Sequence, residues 1–294
     1  MGAMKIARFR YSLLVMTLAL SSLLSPNAHA DNDSREAEIR SLYQALSLDF
    51  RGNPYFSLQM LNANRDGRAS PYLAHYGIAQ FNNALPLSGA ALSRLIPFRM
   101  LSYPAFHEAY LRLEHFKHTS SLKKPSILTV IDFDQPVYAR RLFVLDLVRR
   151  RVLFNTYVAH GYGSDPANTG WIRSVGDAFG SSKTALGAYV TLGSMGHAGK
   201  HRAFADWLEV KGLERRNANA YRRGILFHEN ISLSESFMSL PGIQRNYVRT
   251  QGCFGISQEE SGRFFGLVDQ PLDLLIMKTI QGGSFVYAYS SRYR

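Results

Sequence analysis

The sequence predicts a mixed α/β protein, mainly β in its C-terminal half, preceded by a helical N-terminal region. Three observations carry this reading. Between residues 31 and 122 apolar residues recur at helical spacing. After residue 122 they gather into short runs rich in β-branched and aromatic residues. The polar, proline-bearing stretch HTSSLKKPS separates the two regimes and reads as a linker.

The extreme N-terminus stands apart. Lys5, Arg8 and Arg10 precede an apolar run from Leu13 to Leu24, too short to span a bilayer comfortably, and Pro26 and Ala28-His29-Ala30 follow it. This is the pattern of a secretory signal peptide over residues 1–30, with cleavage expected after Ala30 and a periplasmic or cell-wall location. No cysteine follows the run to carry a lipid, so no stable membrane anchor is expected. Removing 30 of 294 residues leaves 264, enough for one large domain or two small ones. The removed segment holds three basic and no acidic residues, so the net charge passes from +12 to +9. Such a charge suits polyanionic surroundings such as a carboxylate-rich wall. The basic residues are scattered and no nucleic-acid motif is present, so no nucleic-acid partner is expected.

In chain order, residues 34–50 place Ile39, Leu42, Tyr43 and Leu46 on one face of an amphipathic helix. Helical character resumes around Ile78 to Leu95 after a turn-rich stretch. A further helix follows Ser102, with Pro104 in its first turn and Phe106, Tyr110 and Leu113 on one face. From residue 123 onward, Ile127 to Phe133, Arg140 to Leu147 and Val152 to His160 read as strands, and VRRR between the last two suggests a hairpin. ALGAYVTLG, GILFHEN and Phe285 to Tyr289 are strand-like as well, and GSMGHAGKH reads as a loop. Ser257 with Glu260 three residues later is a capping-box signature for a helix over 257–268. That would place Cys253 on the turn leading into the helix.

Cys253 is the single cysteine of the chain, so it forms no disulfide within it. An intermolecular bridge, a packed thiol and a nucleophile are the three readings of it. Gly252 beside it lets backbone approach closely, and successive N–H groups there are suited to holding an oxyanion. A nucleophilic thiol also needs a base. Nine histidines are present, of which His29 leaves with the signal, while His75, His107, His115 and His118 belong to the helical region. His197 and His201 are four apart but enclose Ala-Gly-Lys, a poor match to a zinc helix, so no metal is expected. No phosphate-binding glycine pattern occurs either, and no cofactor is implied. His160 and His228 each end a strand-like run, and by periodicity they are equal candidates for a general base.

LTVIDFDQPVYARRLFVLDLVRRRVLFNTYVAHGYGS, SSKTALGAY, KGLERRNANAYRRGILFHEN, TQGCFGI and IMKTIQGGSFVYAY, in that order, resemble the murein L,D-transpeptidase catalytic-domain family (YkuD-like) from about Phe98 to Tyr289. The resemblance implies a β-sandwich-like catalytic domain, here residues 123–294, behind the helical region of residues 31–122. It implies a Ser/Thr-x-Gly-Cys turn, here Thr250 to Cys253, with Cys253 as nucleophile and Thr250 and Gly252 around the oxyanion and substrate. It also implies His228 as the base, leaving His160 a structural or cleft-lining role. The expected partner is a peptidoglycan stem peptide and the expected reaction is acyl transfer through a thioester. A hydrolase on the same scaffold and a non-catalytic wall-binding protein are the alternatives. Arg202, Arg215, Arg216, Arg222 and Arg249 are candidates for gripping substrate carboxylates. The chain departs from the family in having Glu229 after the histidine, Gln251 before the Gly-Cys pair, and Phe254-Gly255-Ile256 where many members carry an arginine.

Overall fold

The structure, a computed structural model, describes residues 26–52, 101–197, 206–230, 233, 249–257 and 272–293. The helix expected around Ile78 to Leu95 and the one expected beyond Ser257 lie outside the described residues. The chain divides into two compact units, 1–44 and 45–294.

Helix α1 (Pro26–Gly52) crosses that division and begins eight residues before the expected start at Ser34. Proline is well suited to the first helical position, where its missing N–H is not needed. In the first unit Ile39 and Leu42 are buried, and Arg40 pairs with Glu36 across one turn at 2.9 Å. In the second unit the end of α1 buries Leu46 and Phe50, and the Phe50 ring lies 6.1 Å from that of Phe143. Asp49 there accepts a 2.8 Å hydrogen bond from the Val152 N–H.

Helix α2 (Tyr103–Phe116) follows the spacing in the sequence: Phe106 and Leu113 are buried, with Ala105 and Ala109 completing the face. Ser102 occupies the N-cap position, but its hydroxyl makes no cap bond and donates instead to Asp132 at 2.9 Å. That bond ties the helix start to the end of the first strand. The linker expected between the two regions is short, because strand β1 (Lys124–Asp132) already includes Pro125 and Ser126.

The other strands are β2 (Leu142–Asp146), β3 (Arg151–Thr156), β4 (His160–Gly161), β5 (Gly187–His197), β6 (Asp206–Gly212), β7 (Leu226–Asn230), β8 (Arg249–Thr250), β9 (Phe254–Ser257) and β10 (Ser284–Tyr289). Eight of them form one sheet in the order β3-β2-β1-β10-β5-β6-β7-β9, while β4 and β8 form a two-stranded parallel ribbon. The domain is thus mostly β with few helices. The larger sheet is continuous through its eight strands, and the segment that follows β3 reaches back to β9. Val158, just past β3, bridges Ile256 of β9, and the Ala159 N–H donates to the Gly255 carbonyl at 2.7 Å.

Strand β10 is buried along its whole length, and β1 from Leu128 onward; they pair in parallel at the centre of the sheet. Strands covered on both faces read as nearly continuous apolar runs, which is what their sequences show. Helix α2 packs on β1 and β10, and helix α3 (Leu272–Ile280) adds Ile276, Met277 and Ile280 to the main core. The VRRR hairpin forms as expected between β2 and β3, with the Asp146 carboxylate accepting from the Arg149 N–H at 2.8 Å. GSMGHAGKH is strand rather than loop as far as His197, which pairs with Asp206. Cys253 leads into strand β9 rather than directly into a helix, because Phe254 and Ile256 are drawn fully into the core beside β7.

Candidate active site

Parallel pairing of β7 with β9 brings residues 25 apart in sequence side by side. Phe227 lies opposite Phe254 and His228 opposite Gly255. Both phenylalanines are fully buried, their ring centroids 5.1 Å apart, and this contact fixes the register. One residue earlier, Cys253 stands beside Leu226, whose backbone N–H bonds the sulfur. Side chains alternate along a strand, so His228 shares the Leu226 face, opposite to Phe227. The register thus sets Cys253, one residue ahead of β9, level with Leu226 and two positions before His228 of the neighbouring strand.

The thiol is half-buried, and its Sγ lies 3.5 Å from the Gly224 carbonyl oxygen. Burial pushes its pKa up, while the Leu226 N–H and the charge of Arg223 pull it back. His228 is buried, and its Nδ1 lies 2.6 Å from the Glu229 backbone carbonyl. A carbonyl only accepts, so Nδ1 carries the proton and Nε2 holds the lone pair. Burial lowers the His228 pKa to about 4, offset in part by that hydrogen bond. The imidazole is neutral at neutral pH and in the tautomer a general base needs. The Glu229 main-chain oxygen is thus one partner of the imidazole.

Thr250 and Gly252 shape the turn that carries the thiol. The Thr250 hydroxyl donates to the Cys253 carbonyl at 2.7 Å and accepts from the Gly252 N–H at 3.1 Å. These two bonds hold the turn that carries Cys253. Gly252 has φ +115°, and a Cβ there would lie 2.8 Å from the Lys183 carbonyl oxygen. Only glycine takes that conformation at that distance.

His160 is placed differently. It is fully buried on β4, opposite Arg249, and its Nδ1 accepts from Arg141 Nη2 at 2.8 Å. Burial first, then the Arg141 charge, lower its pKa to about 3, against the pull of Asp165. Its Nε2 is 3.6 Å from Asp165 Oδ2. Arg141 also donates to the Val158 and Gln135 carbonyls, and burial lowers its own pKa to about 9. This cluster underlies the ribbon in which Gly161 pairs with Thr250, so His160 acts as a structural support for the turn.

The five arginines named from sequence divide. Arg216 is engaged by Glu214 at 2.6 Å and the Tyr287 hydroxyl at 2.9 Å. Arg249 donates to the Asp165 carbonyl at 2.5 Å. Arg222 stacks over the exposed Phe179 ring at 5.4 Å, Arg215 is exposed, and Arg202 lies outside the described residues. The sequence reading missed Arg223, which sits between the loop at Asp177 and the thiol turn. Its only sequence signal is its place in YRRG, just ahead of the strand bearing His228. Among the described residues no three His, Cys, Asp or Glu side chains gather into a metal site, and the side chains of His197 and His201 lie outside them. No helix among the described residues is long and apolar enough to cross a membrane.

Comparison with known proteins gives this arrangement a family. No curated protein matches the chain. Among solved structures, an L,D-transpeptidase from Mycobacterium smegmatis is similar at 12% identity and TM-score 0.29, over 56% of this chain and 59% of that one. The L,D-transpeptidase LdtMt1 in complex with imipenem aligns at 10% identity and TM-score 0.29, with the same coverage. One from Mycobacterium tuberculosis H37Rv aligns at 13% and 0.26, over 56% of this chain and 58% of that one. The chain spans less than two thirds of the length of each. A family model described as the L,D-transpeptidase catalytic domain matches residues 98–289, taking in α2, every strand of the sheet and the turn at Cys253. On that match the chain belongs to the L,D-transpeptidase catalytic-domain family.

Proposed function

We propose that this protein is a cysteine-dependent L,D-transpeptidase acting on peptidoglycan stem peptides, with Cys253 as nucleophile and His228 as general base. The observation that carries the reading is the pairing of β7 with β9. It runs the strand that follows the glycine-held thiol turn alongside the strand that carries a neutral, Nδ1-protonated imidazole, which supports the pairing of the two groups.

Cys253 Sγ attacks the carbonyl that joins the L-centre of the diamino acid to a terminal D-residue. The thiol proton passes to His228 Nε2 as the S–C bond forms, because both groups start neutral. The carbonyl electrons move onto oxygen, where main-chain N–H groups of the turn at Cys253 stabilise them by about 3–4 kcal/mol per good donor. Collapse breaks the C–N bond, and the leaving amine takes the proton from His228. An acceptor amine then resolves the thioester and makes a cross-link; water in its place gives a trimmed stem peptide. The signal-like N-terminus supports export to the periplasm or wall, where this substrate is found; cleavage after Ala30 would remove the first turn of α1.

The test is muropeptide composition of cells with the protein, without it, and with Cys253→Ala. The reading expects a product class that disappears equally in the last two. Wall chemistry unchanged by Cys253→Ala would end it, and trimmed stems in place of cross-links would make the enzyme a hydrolase.

A further inference from the structure

We infer that Arg223, with Asp177 as its counter-ion, is a positioning residue for this reaction: it fixes the Gly252-Cys253 turn and supplies the positive charge that the thiolate meets. The inference rests on Cys253 being the nucleophile.

The Arg223 side chain is 4% exposed and gathers three segments. Its Nη2 donates to the Lys183 carbonyl at 2.7 Å, and its Nη1 donates to the Gly176 carbonyl at 3.2 Å and to Asp177 Oδ1 at 3.1 Å. The same Nη2 stands 3.0 Å from where a Cβ on Gly252 would be, so the guanidinium lies against the residue that precedes the thiol. The next residue, Gly224, offers its carbonyl to Cys253 Sγ at 3.5 Å. Asp177 is fixed in turn, its Oδ2 accepting from the Asn219 N–H at 2.6 Å. The planar fork of the guanidinium explains how one side chain spans three acceptors.

The ion pair is nearly dry, so its charges are weakly screened. Charged and titratable groups on the elements packed around the turn are Asp177 and Lys183 on the loop, Arg222 on the preceding turn, His228 and Glu229 on β7, Arg249 on β8, and His160 on β4 with Arg141 and Asp165 behind it. Arg223 is the cation among them whose charge acts on the thiol, while His228 is neutral. Asp177 carries the opposite charge on the far side of the pair, so by Coulomb's law it is expected to oppose that effect. Removing the cation and removing its counter-ion must therefore move the thiol in opposite directions, which a purely structural clamp would not do.

The experiment measures the rate of Cys253 alkylation by iodoacetamide against pH, by intact-protein mass spectrometry, in full-length Arg223→Met, Arg223→Lys and Asp177→Asn, with thermal melts alongside. Iodoacetamide is small and neutral and needs no substrate site. Arg223→Met is expected to move the profile to higher pH and slow alkylation near neutrality by about tenfold. Asp177→Asn, which keeps an acceptor for Arg223, is expected to move it to lower pH. Arg223→Lys is expected to keep the wild-type profile while acyl transfer falls, because the charge remains and the fork is lost. Superimposable profiles, or shifts of Arg223→Met and Asp177→Asn in the same direction, overturn the inference. If Arg223→Met does not fold, an unmoved profile in Asp177→Asn overturns it alone. Wall activity surviving Cys253→Ala would instead remove the transpeptidase reading and leave these profiles standing.

Discussion

Thr250→Val is the sharpest perturbation of the thiol turn, because it keeps the shape of the side chain and removes both hydrogen bonds of its hydroxyl. In the wild type that hydroxyl donates to the Cys253 carbonyl at 2.7 Å and accepts from the Gly252 N–H at 3.1 Å. The site is nearly closed to water, since Thr250 is 9% exposed and Gly252 is buried. A neutral hydrogen bond contributes about 1 kcal/mol net, and a buried donor left unpaired costs about 1–3 kcal/mol. The substitution should therefore destabilise the native turn by about 2–3 kcal/mol. Thr250→Ser, which retains the hydroxyl, should stay within about 1 kcal/mol of wild type. Urea unfolding reads the stability, and the rate of Cys253 acylation by a stem-peptide donor reads the geometry. Both should fall in Thr250→Val and recover in Thr250→Ser. A valine variant with wild-type midpoint and acylation rate would show that the hydroxyl does not hold the turn.

Gly252→Ala should cost more than an ordinary loop substitution, about 2 kcal/mol or above, because alanine resists φ +115° and its Cβ would meet the Lys183 carbonyl at 2.8 Å. Urea midpoints check this, and a neutral alanine would contradict the close approach. Phe254→Ala should lose about 3–5 kcal/mol by opening a cavity between Phe227 and Tyr189, whose ring centroids lie 5.1 and 5.4 Å away. The same melts, with far-ultraviolet circular dichroism, would show β9 loosening from β7. Acid should destabilise the fold through His160 and His228. Their folded pKa values, about 3 and about 4, lie below the ordinary 6.5, so their contribution is complete above 6.5 and is lost as pH falls towards those values. Each adds a slope of up to about 1.4 kcal/mol per pH unit within its window. His160→Asn, which keeps an acceptor for Arg141, should flatten the stability-against-pH curve there, and an unchanged curve would place the acid sensitivity elsewhere.

Much of the fold was legible where local patterning decides it. Helix α2 could be read from the spacing of Phe106 and Leu113 and from Pro104 in its first turn, and the β2–β3 hairpin from VRRR between two apolar runs. Strand β10 stood out because burial on both faces leaves few polar residues in it, and β7 because the apolar run Ile225 to Phe227 leads into it. What escaped was long-range. Strand β9 is four residues long and exists because β7 pairs with it in parallel, a partnership that no window around Cys253 contains. The capping signature at Ser257 drew attention to a helix and away from that strand. His160 and His228 look alike in sequence because each follows an apolar run. They differ in what bonds their rings: Arg141 of the segment before β2 meets the first, and the carbonyl of the next residue, Glu229, meets the second. Arg223 was hidden for a similar reason, since its role depends on Asp177 and Lys183, some 40 residues earlier.

The central claim is that Cys253 carries an acyl group and His228 moves the proton that forms it. Intact-protein mass spectrometry after brief exposure to a stem peptide ending in a D-residue tests this most directly. A carbapenem is a second electrophile for the same measurement, since a thiol held with a base and main-chain donors also opens a strained lactam. One adduct on Cys253 is expected, its mass that of the donor less the departing D-amino acid. It should be absent in Cys253→Ala and strongly reduced in His228→Ala with the fold retained. An adduct that persists in Cys253→Ala, or stem peptides processed at the wild-type rate by that variant, would contradict it.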